Sequence, residues 1–482
     1  MTLKLIRLIK ENKGGFIGAL LLFFLMIMTC YALFFVSTQS RLQWNDPMYW
    51  SDNPKTAAPE WFNIILKPFG HQLPEHKIFY QKDATVNSIN DTDFKLENNT
   101  FSYQFDFNEF PPAFDVPYEI TLGEIPPILE VYVKRPDNLE FRIYSNSLES
   151  VSIFQNNGGN AVDNNNNNNN STTPTLIDSN TVLGRVFSSS YDVRNSLAEY
   201  GGIFKFPISG LSAEKIIYSK TDSNTPLKGK YEFIFSVYSF DSDTVLKNLQ
   251  LVIQGKVYGL LGTDELRRDV FFGILIGTPV ALIIGITVAL SSSFIGLFYG
   301  LYSGYTGKKA GTFMLTVIDI FISLPTFIIF IIISIHFGRN LLFLIGLFIL
   351  FGWPGVALLN RTFSIQIKNY PYIEASKLMG ESDFKIVLRH IVPQLLPFTL
   401  ANFALSVPIA ILGESALSFL GFGDPSFPTW GQMLQEAHAS SAETLGYWWW
   451  IVSPGLMISV TSIAFILIGR SLENLVKIGK RR

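Results

Sequence analysis

The sequence predicts an all-α polytopic membrane protein of about six transmembrane helices, interrupted by a β-rich insert outside the membrane. Three observations predict it. Of 482 residues 48% are hydrophobic and only 16% charged, with a mean hydropathy of +0.27, whereas a soluble domain carries about a quarter charged residues. The apolar excess is confined to the two ends, while the stretch from 40 to 260 is ordinary polar sequence. Finally, the ends contain six apolar runs of the length, about 20 residues, that the hydrocarbon core requires.

The first run, Phe16–Val36, carries no charge and is followed by no small-residue cleavage site, so it reads as a span and not as a signal peptide. The others are Phe271–Tyr299, Thr312–Phe337, Leu341–Leu359, Leu396–Gly413 and Trp449–Ile468. Basic residues near the span ends set the orientation. Lys4, Arg7, Lys10 and Lys13 place the N-terminus in the cytoplasm, and Lys477, Lys480, Arg481 and Arg482 place the C-terminus there too. Lys308 and Lys309, and the group from Arg361 to Arg389, then fall on the same side. The 3-residue spacing of Lys4, Arg7 and Lys10 gathers their charges on one helical face. That segment reads either as an interfacial elbow helix or as a plain positive anchor.

Three regions follow: an elbow and first span over 1–40, an extracellular β-rich insert over 41–258, and a five-helix core over 259–482 with a cytoplasmic loop at 361–393. In the insert, the alternating segments Phe101–Phe107, Glu130–Lys134, Leu139–Tyr144 and Tyr231–Tyr238 predict strands in one or two sheets. Pro111–Pro112 and Pro126–Pro127 predict turns, and the run Asn164–Asn170 a disordered loop. The single cysteine, Cys30, excludes an intramolecular disulfide, so the insert must rely on core burial. No HExxH, GxSxG or metal-ligand cluster appears, so neither catalysis nor a metal is expected, and the net charge of −2 gives no reason to expect nucleic acid.

Residues 369–397, NYPYIEASKLMGESDFKIVLRHIVPQLLP, carry the most specific local signal. Pro371 suits the first turn of a helix and Glu374 suits the positive end of its dipole. Gly380 can end that helix in a left-handed cap, Ser382 can cap a second helix, and Pro393 marks where the second helix yields to the next span. On spacing alone the segment reads as a connecting loop or as a helix–turn–helix that grips a partner.

The segment resembles the EAA loop of ABC importer permeases. Glu374, Ala375 and Ser376 stand for Glu-Ala-Ala, Gly380 has the required spacing, and His390–Pro393 form the ending, with Ser376 and Val392 as small departures. Gly262–Val270, GTDELRRDV, is similar to the GTDELGRDV signature of the oligopeptide/dipeptide branch, C-type subunit, with Arg267 where glycine is usual. Ile411–Trp430, followed by Gly431, Met433 and Leu434, is similar to that branch's ILxExALSFLGxG…PxWGxML stretch. The resemblance is close over 260–470 and loose over 1–36, and the large insert departs from it.

The resemblance implies a type I ABC importer permease fold in a bacterial cytoplasmic membrane. Glu374, Ala375, Ser376, Lys377 and Gly380 would be the contact or turn residues that couple to the ATPase. Partners would be a second permease subunit, two cytoplasmic ATPase subunits, an extracellular substrate-binding protein, membrane lipid and a peptide substrate. No GxxxxGK[ST] loop is present, so ATP would act on the partner subunits and no cofactor is expected on this chain. Nickel and glutathione importers use the same architecture and stay open as alternatives. Other classes are a self-powered channel or secondary transporter and a membrane-anchored receptor or adhesin. Glu414 and Asp319 are ionisable groups at membrane depth and therefore candidates for the pathway. Each of the last five spans contains a proline, Pro279, Pro325, Pro354, Pro408 and Pro454, and Pro408 is taken with the two acids as a gating candidate.

Overall fold

The computed structural model describes residues 13–91, 94–148, 175–178, 181–306 and 308–479. The expected elbow helix, the asparagine run 164–170 and the basic residues 480–482 lie outside them. The chain forms two compact units, one of Trp50–Arg267 and one of Met1–Tyr49 with Arg268–Arg482.

The first of these is a sandwich of two five-stranded antiparallel sheets. Its strands are β1 (Lys77–Tyr80), β2 (Thr85–Asn90), β3 (Lys95–Phe105), β4 (Ala113–Thr121), β5 (Ile128–Lys134), β6 (Glu140–Ser147), β7 (Thr175–Asp178), β8 (Thr181–Phe187), β9 (Gly229–Ser239) and β10 (Val245–Gln254). One sheet has the order β1-β10-β4-β8-β7 and the other β2-β3-β9-β5-β6. Alternation turns Phe101, Tyr103 and Phe105 of β3, and Phe114, Val116, Tyr118 and Ile120 of β4, toward one shared core. Ring centroids cross between the sheets at 5.4 Å for Phe114–Phe233 and 5.6 Å for Tyr118–Phe235. Each fully buried ring contributes about 1.5–3 kcal/mol, and these burials take the place a disulfide would otherwise fill.

The GTDELRRDV stretch shows why glycine would suit position 267. Arg267 has φ +66°, in the left-handed region, and its N–H closes a turn onto the Asp264 carbonyl at 3.1 Å. Its guanidinium donates to the carbonyls of Ser51 and Asn53 at 3.0 and 3.1 Å. Arg185 nearby pairs with Asp52 and lies 3.9 Å from the buried Asp115, which also accepts from Gln254 at 2.7 Å. Burial holds the Asp115 carboxyl above its ordinary range, against the pull of Arg185 and Arg267. Two charge-assisted hydrogen bonds outweigh a backbone strain of about 1 kcal/mol. Arg267→Gly is therefore expected to destabilise the sandwich by about 1–3 kcal/mol, and Arg267→Ala by about 1 kcal/mol more, because alanine keeps the strain. Thermal unfolding of the two variants checks the order; alanine as stable as glycine would contradict it.

In the second unit, α1 (Lys13–Phe34) carries a narrow stripe of buried residues, Gly15, Gly18, Leu25, Met28 and Ala32, and leaves the rest of its apolar surface outward. The central pair is α2 (Val270–Tyr305) and α5 (Leu341–Lys368). Gly296, Gly300 and Gly304, four residues apart, let the backbones meet: a Cβ at Gly300 would lie 2.2 Å from the Ala357 carbonyl oxygen. α8 (Val392–Phe419) packs on α2 where Gly285 faces Val407 and Ile411, and α10 (Trp448–Gly479) packs on α8 where Gly469 faces Leu405.

Two expectations need correction. The third span is not one helix but two, α3 (Lys308–Ser323) and α4 (Thr326–Phe337), bent by 71°. Among the described residues five helices are long and apolar enough to cross a membrane, and the count is six when the bent pair is taken as one broken span. The cause is Pro325, which bars the helical region to Leu324 and provides no N–H for the preceding turn. Pro279, Pro354, Pro408 and Pro454 sit inside continuous helices. Nor does Pro393 separate two helices. From α7 (Asp383–Ile386) the chain passes through a π-turn at Val387–Ile391 straight into α8, and the extra residue of that turn accommodates the proline.

Candidate functional site

The helix–turn–helix of residues 371–386 consists of α6 (Pro371–Leu378) and α7. Tyr370 is extended and starts α6, Pro371 occupies its first position and Glu374 its first turn. The end is a paired cap around Gly380, whose φ is +81°. The Glu381 N–H donates to the Ser376 carbonyl at 3.1 Å and the Gly380 N–H to the Lys377 carbonyl at 3.0 Å, the two bonds of a Schellman motif. Ser382 takes the extended conformation of an N-cap, but its side chain makes no capping hydrogen bond.

One face of this hairpin is buried. Ile373, Ile386, Ile391 and Leu395 pack with Leu297, Leu301 and Tyr305 of α2 and Ile367 of α5. The opposite face exposes Glu374, Ala375, Lys377 and Gly380, while Ser376 turns inward. Leu378 and Met379, at the tip, are 90% and 79% exposed, and Phe384 is 74% exposed. The sequence reading did not single out these three, although a Leu-Met pair directly ahead of a helix-ending glycine is the pattern that could have flagged them.

Tyr305, the last residue of α2, ties the hairpin to the bundle. Lys368 Nζ donates to its carbonyl at 2.6 Å, and its hydroxyl donates to Asp383 at the start of α7. Lys377 and Lys368 lie 4.9 and 5.3 Å from its ring centroid. On the far side of the turn Glu381 is 3.0 Å from His390 Nε2 and 3.9 Å from Lys385 Nζ. These contacts hold the hairpin against α2 and α5 through its buried face and through Tyr305.

The other sequence candidates are dispersed. Glu414 is buried in α8 and accepts from Ser418 Oγ at 2.6 Å. Pro408 is buried in the same helix. Asp319 is exposed on the surface of α3. Among the described residues no hydrogen bond or ion pair joins Glu414 to Asp319.

A second cluster brings the two remaining motif stretches together. Arg268 is 2% exposed, pairs with Glu436 of α9 (Trp430–Ala439), and holds its guanidinium 4.4 Å from the Trp44 ring centroid. Trp44 lies over Gly273, where a Cβ would come within 2.5 Å of its ring and 2.9 Å of Met433. Asp269 caps α2, accepting from the N–H groups of Phe271 and Phe272 at 2.7 and 3.2 Å.

Residues 292–478 match the family described as binding-protein-dependent transport system inner membrane component. The chain is 35% identical over 214 residues to the dipeptide transport system permease protein DppC of Bacillus subtilis, covering 44% of this chain and 66% of that one. It is 31% identical over 235 residues to the oligopeptide transport system permease protein OppC of Haemophilus influenzae, covering 48% and 74%. With the glutathione transport system permease protein GsiD of Pectobacterium atrosepticum the identity is 32% over 215 residues, covering 44% and 70%. The chain spans about two thirds of the B. subtilis relative's length, and more than half of the chain lies outside each match.

Proposed function

The chain belongs to the family of binding-protein-dependent transport system inner membrane components, and from that premise we propose that it forms one half of the translocation pathway of an ATP-driven importer for dipeptides or oligopeptides. The observation that carries the reading is the Gly380-capped hairpin, whose exposed face is a preformed docking surface and whose buried face is anchored on Tyr305. The partners would be a second permease, two ATPase subunits of which one docks on Glu374, Ala375, Lys377 and Gly380, and a binding protein that delivers solute. The basic residues put the hairpin in the cytoplasm and the sandwich outside, so ATP and solute act on opposite faces. Energy passes between them only if docking contacts differ between inward-facing and outward-facing states. A tip that exposes Leu378 and Met379 beside Lys377 gives such contacts both apolar area and charge. Within this scheme Glu414 and Ser418 hold the outer part of α8, and Asp319 faces the pathway or the second permease.

The similarity to a glutathione permease supports a second substrate reading, a small peptide-like anion. Purification of the tagged protein in mild detergent from its native membrane, followed by mass spectrometry, tests the assembly. ATPase subunits and a second permease are expected to copurify. A clean homo-oligomer under conditions that preserve other complexes would instead favour a self-contained transporter.

A further inference from the structure

The last two turns of α5 face the C-terminal end of α2, and three of their side chains meet its carbonyl groups. Ser364 Oγ donates to the Leu301 carbonyl at 3.0 Å and Lys368 Nζ to the Tyr305 carbonyl at 2.6 Å. Arg361 does more. Its Nη1 donates to the Ser303 carbonyl at 2.8 Å and to Ser303 Oγ at 2.7 Å, and it also reaches the Gly311 carbonyl of α3 at 2.9 Å. Basic side chains at a helix C-terminus are favoured by the dipole and satisfy orphan carbonyls. That accounts for Lys368 and for the Ser303 contacts. It does not account for the bond to Gly311, which lies in the first turn of α3, where a carbonyl already has a helical partner.

Gly311 is shaped for this contact. A Cβ there would lie 2.7 Å from the Ser303 carbonyl and 3.5 Å from Arg361 Nη1. The bond therefore joins α3, the half of the broken span that bears Asp319, to the body formed by α2, α5 and the hairpin. α3 also packs Ile318 against Trp353 and Ala357 of α5, and two hydroxyls of α2 donate to its carbonyls, Ser303 Oγ to Gly311 at 3.4 Å and Tyr299 to Met314 at 3.2 Å; to these neutral bonds Arg361 adds a charged donor that binds α2 and α3 at once.

We propose that Arg361 is a positioning residue for transport: it makes α3 follow the coupling hairpin, so that movement driven at the hairpin reaches the Leu324–Pro325 break and the surface that carries Asp319. The proposal rests on the importer reading given above. Arg361 touches neither solute nor ATPase in this scheme, so its loss should separate hydrolysis from transport and not abolish both. A lysine can offer its ammonium to the same acceptors and should restore part of the function.

The test uses the assembled transporter in proteoliposomes, with ATP hydrolysis and uptake of a labelled peptide measured on the same preparation, for wild type, Arg361→Ala, Arg361→Lys and Gly311→Ala. The expected result is normal copurification of the partner subunits and hydrolysis within about twofold of wild type. Uptake per ATP should fall about tenfold in Arg361→Ala and Gly311→Ala and by less than about threefold in Arg361→Lys. Should Arg361→Ala fail to assemble, Gly311→Ala decides, since it keeps the guanidinium while its Cβ, pressed on the Ser303 carbonyl, moves the Gly311 acceptor away from it. Unchanged uptake per ATP in a variant that assembles would overturn the proposal, as would equal losses of hydrolysis and uptake. If the wild-type preparation itself neither hydrolyses ATP nor takes up peptide, it is the importer reading that falls.

Discussion

Gly380→Pro is expected to cut ATP-driven uptake by about tenfold or more while leaving the membrane bundle folded. Proline holds φ near −65°, and the residue it would replace stands at +81°. The substitution also removes the N–H that closes the cap onto Lys377 and disfavours the near-helical conformation of Met379, with φ −74° and ψ 0°. A loss of about 3 kcal/mol at one turn corresponds to about two powers of ten in any equilibrium that needs the turn formed. Gly380→Ala separates geometry from contact. No atom lies within 4 Å of a Cβ there, so alanine meets no clash and bears only the left-handed strain of about 1 kcal/mol. Its effect on uptake should stay under about tenfold. Copurification of the ATPase subunits with each variant checks the origin of the loss. Uptake in Gly380→Pro equal to wild type would remove the hairpin from the coupling path.

Arg268→Ala is expected to destabilise the membrane unit by about 2–3 kcal/mol, read as a lower thermal unfolding midpoint in detergent. The guanidinium is buried against Trp44 and neutralises Glu436, whose side chain is 25% exposed. Breaking a fully buried pair costs about 3–5 kcal/mol, and solvent at Glu436 lowers the figure. Placing Arg268→Ala in a Glu436→Gln background should recover about half of the cost, because no bare carboxylate is then left behind. A single variant within about 0.5 kcal/mol of wild type would show that the cluster is not an anchor.

Much of this was legible in the sequence where one residue dictates local geometry. Gly380 could be assigned to a left-handed cap because the helix start at Pro371 and the spacing left it little else to do. The strands β3, β5, β6 and β9 were legible because apolar residues recur at every second position, as at 101, 103, 105 and at 231, 233, 235, 237. β2 was not, since all six of its residues are exposed and no apolar face marks it. β10 was hidden by a bulge between Leu246 and Asn248 that interrupts its period.

The site was legible only in part, for a related reason. Ser376 looks like its neighbours in the sequence, but only the helix phase shows that it points inward. Five prolines read alike, yet of these only Pro325 stands at a helix break, and the other four lie inside continuous helices. Tyr305 and Asp383, 78 residues apart, and Arg268 and Glu436, 168 apart, meet through tertiary packing that no local pattern encodes. Arg361 was visible merely as one of several inner-side charges. Its three acceptors belong to two other helices.

The central claim, that this chain forms part of an ATP-driven peptide pathway, is tested most directly by transport itself. The copurified complex, reconstituted in proteoliposomes with its binding protein outside and ATP inside, would be given labelled dipeptides, longer peptides and glutathione. Accumulation of a peptide that requires both ATP and the binding protein, and that Gly380→Pro suppresses, is the predicted result. Uptake that proceeds without ATP, or none of these solutes moving although the complex hydrolyses ATP, would contradict it.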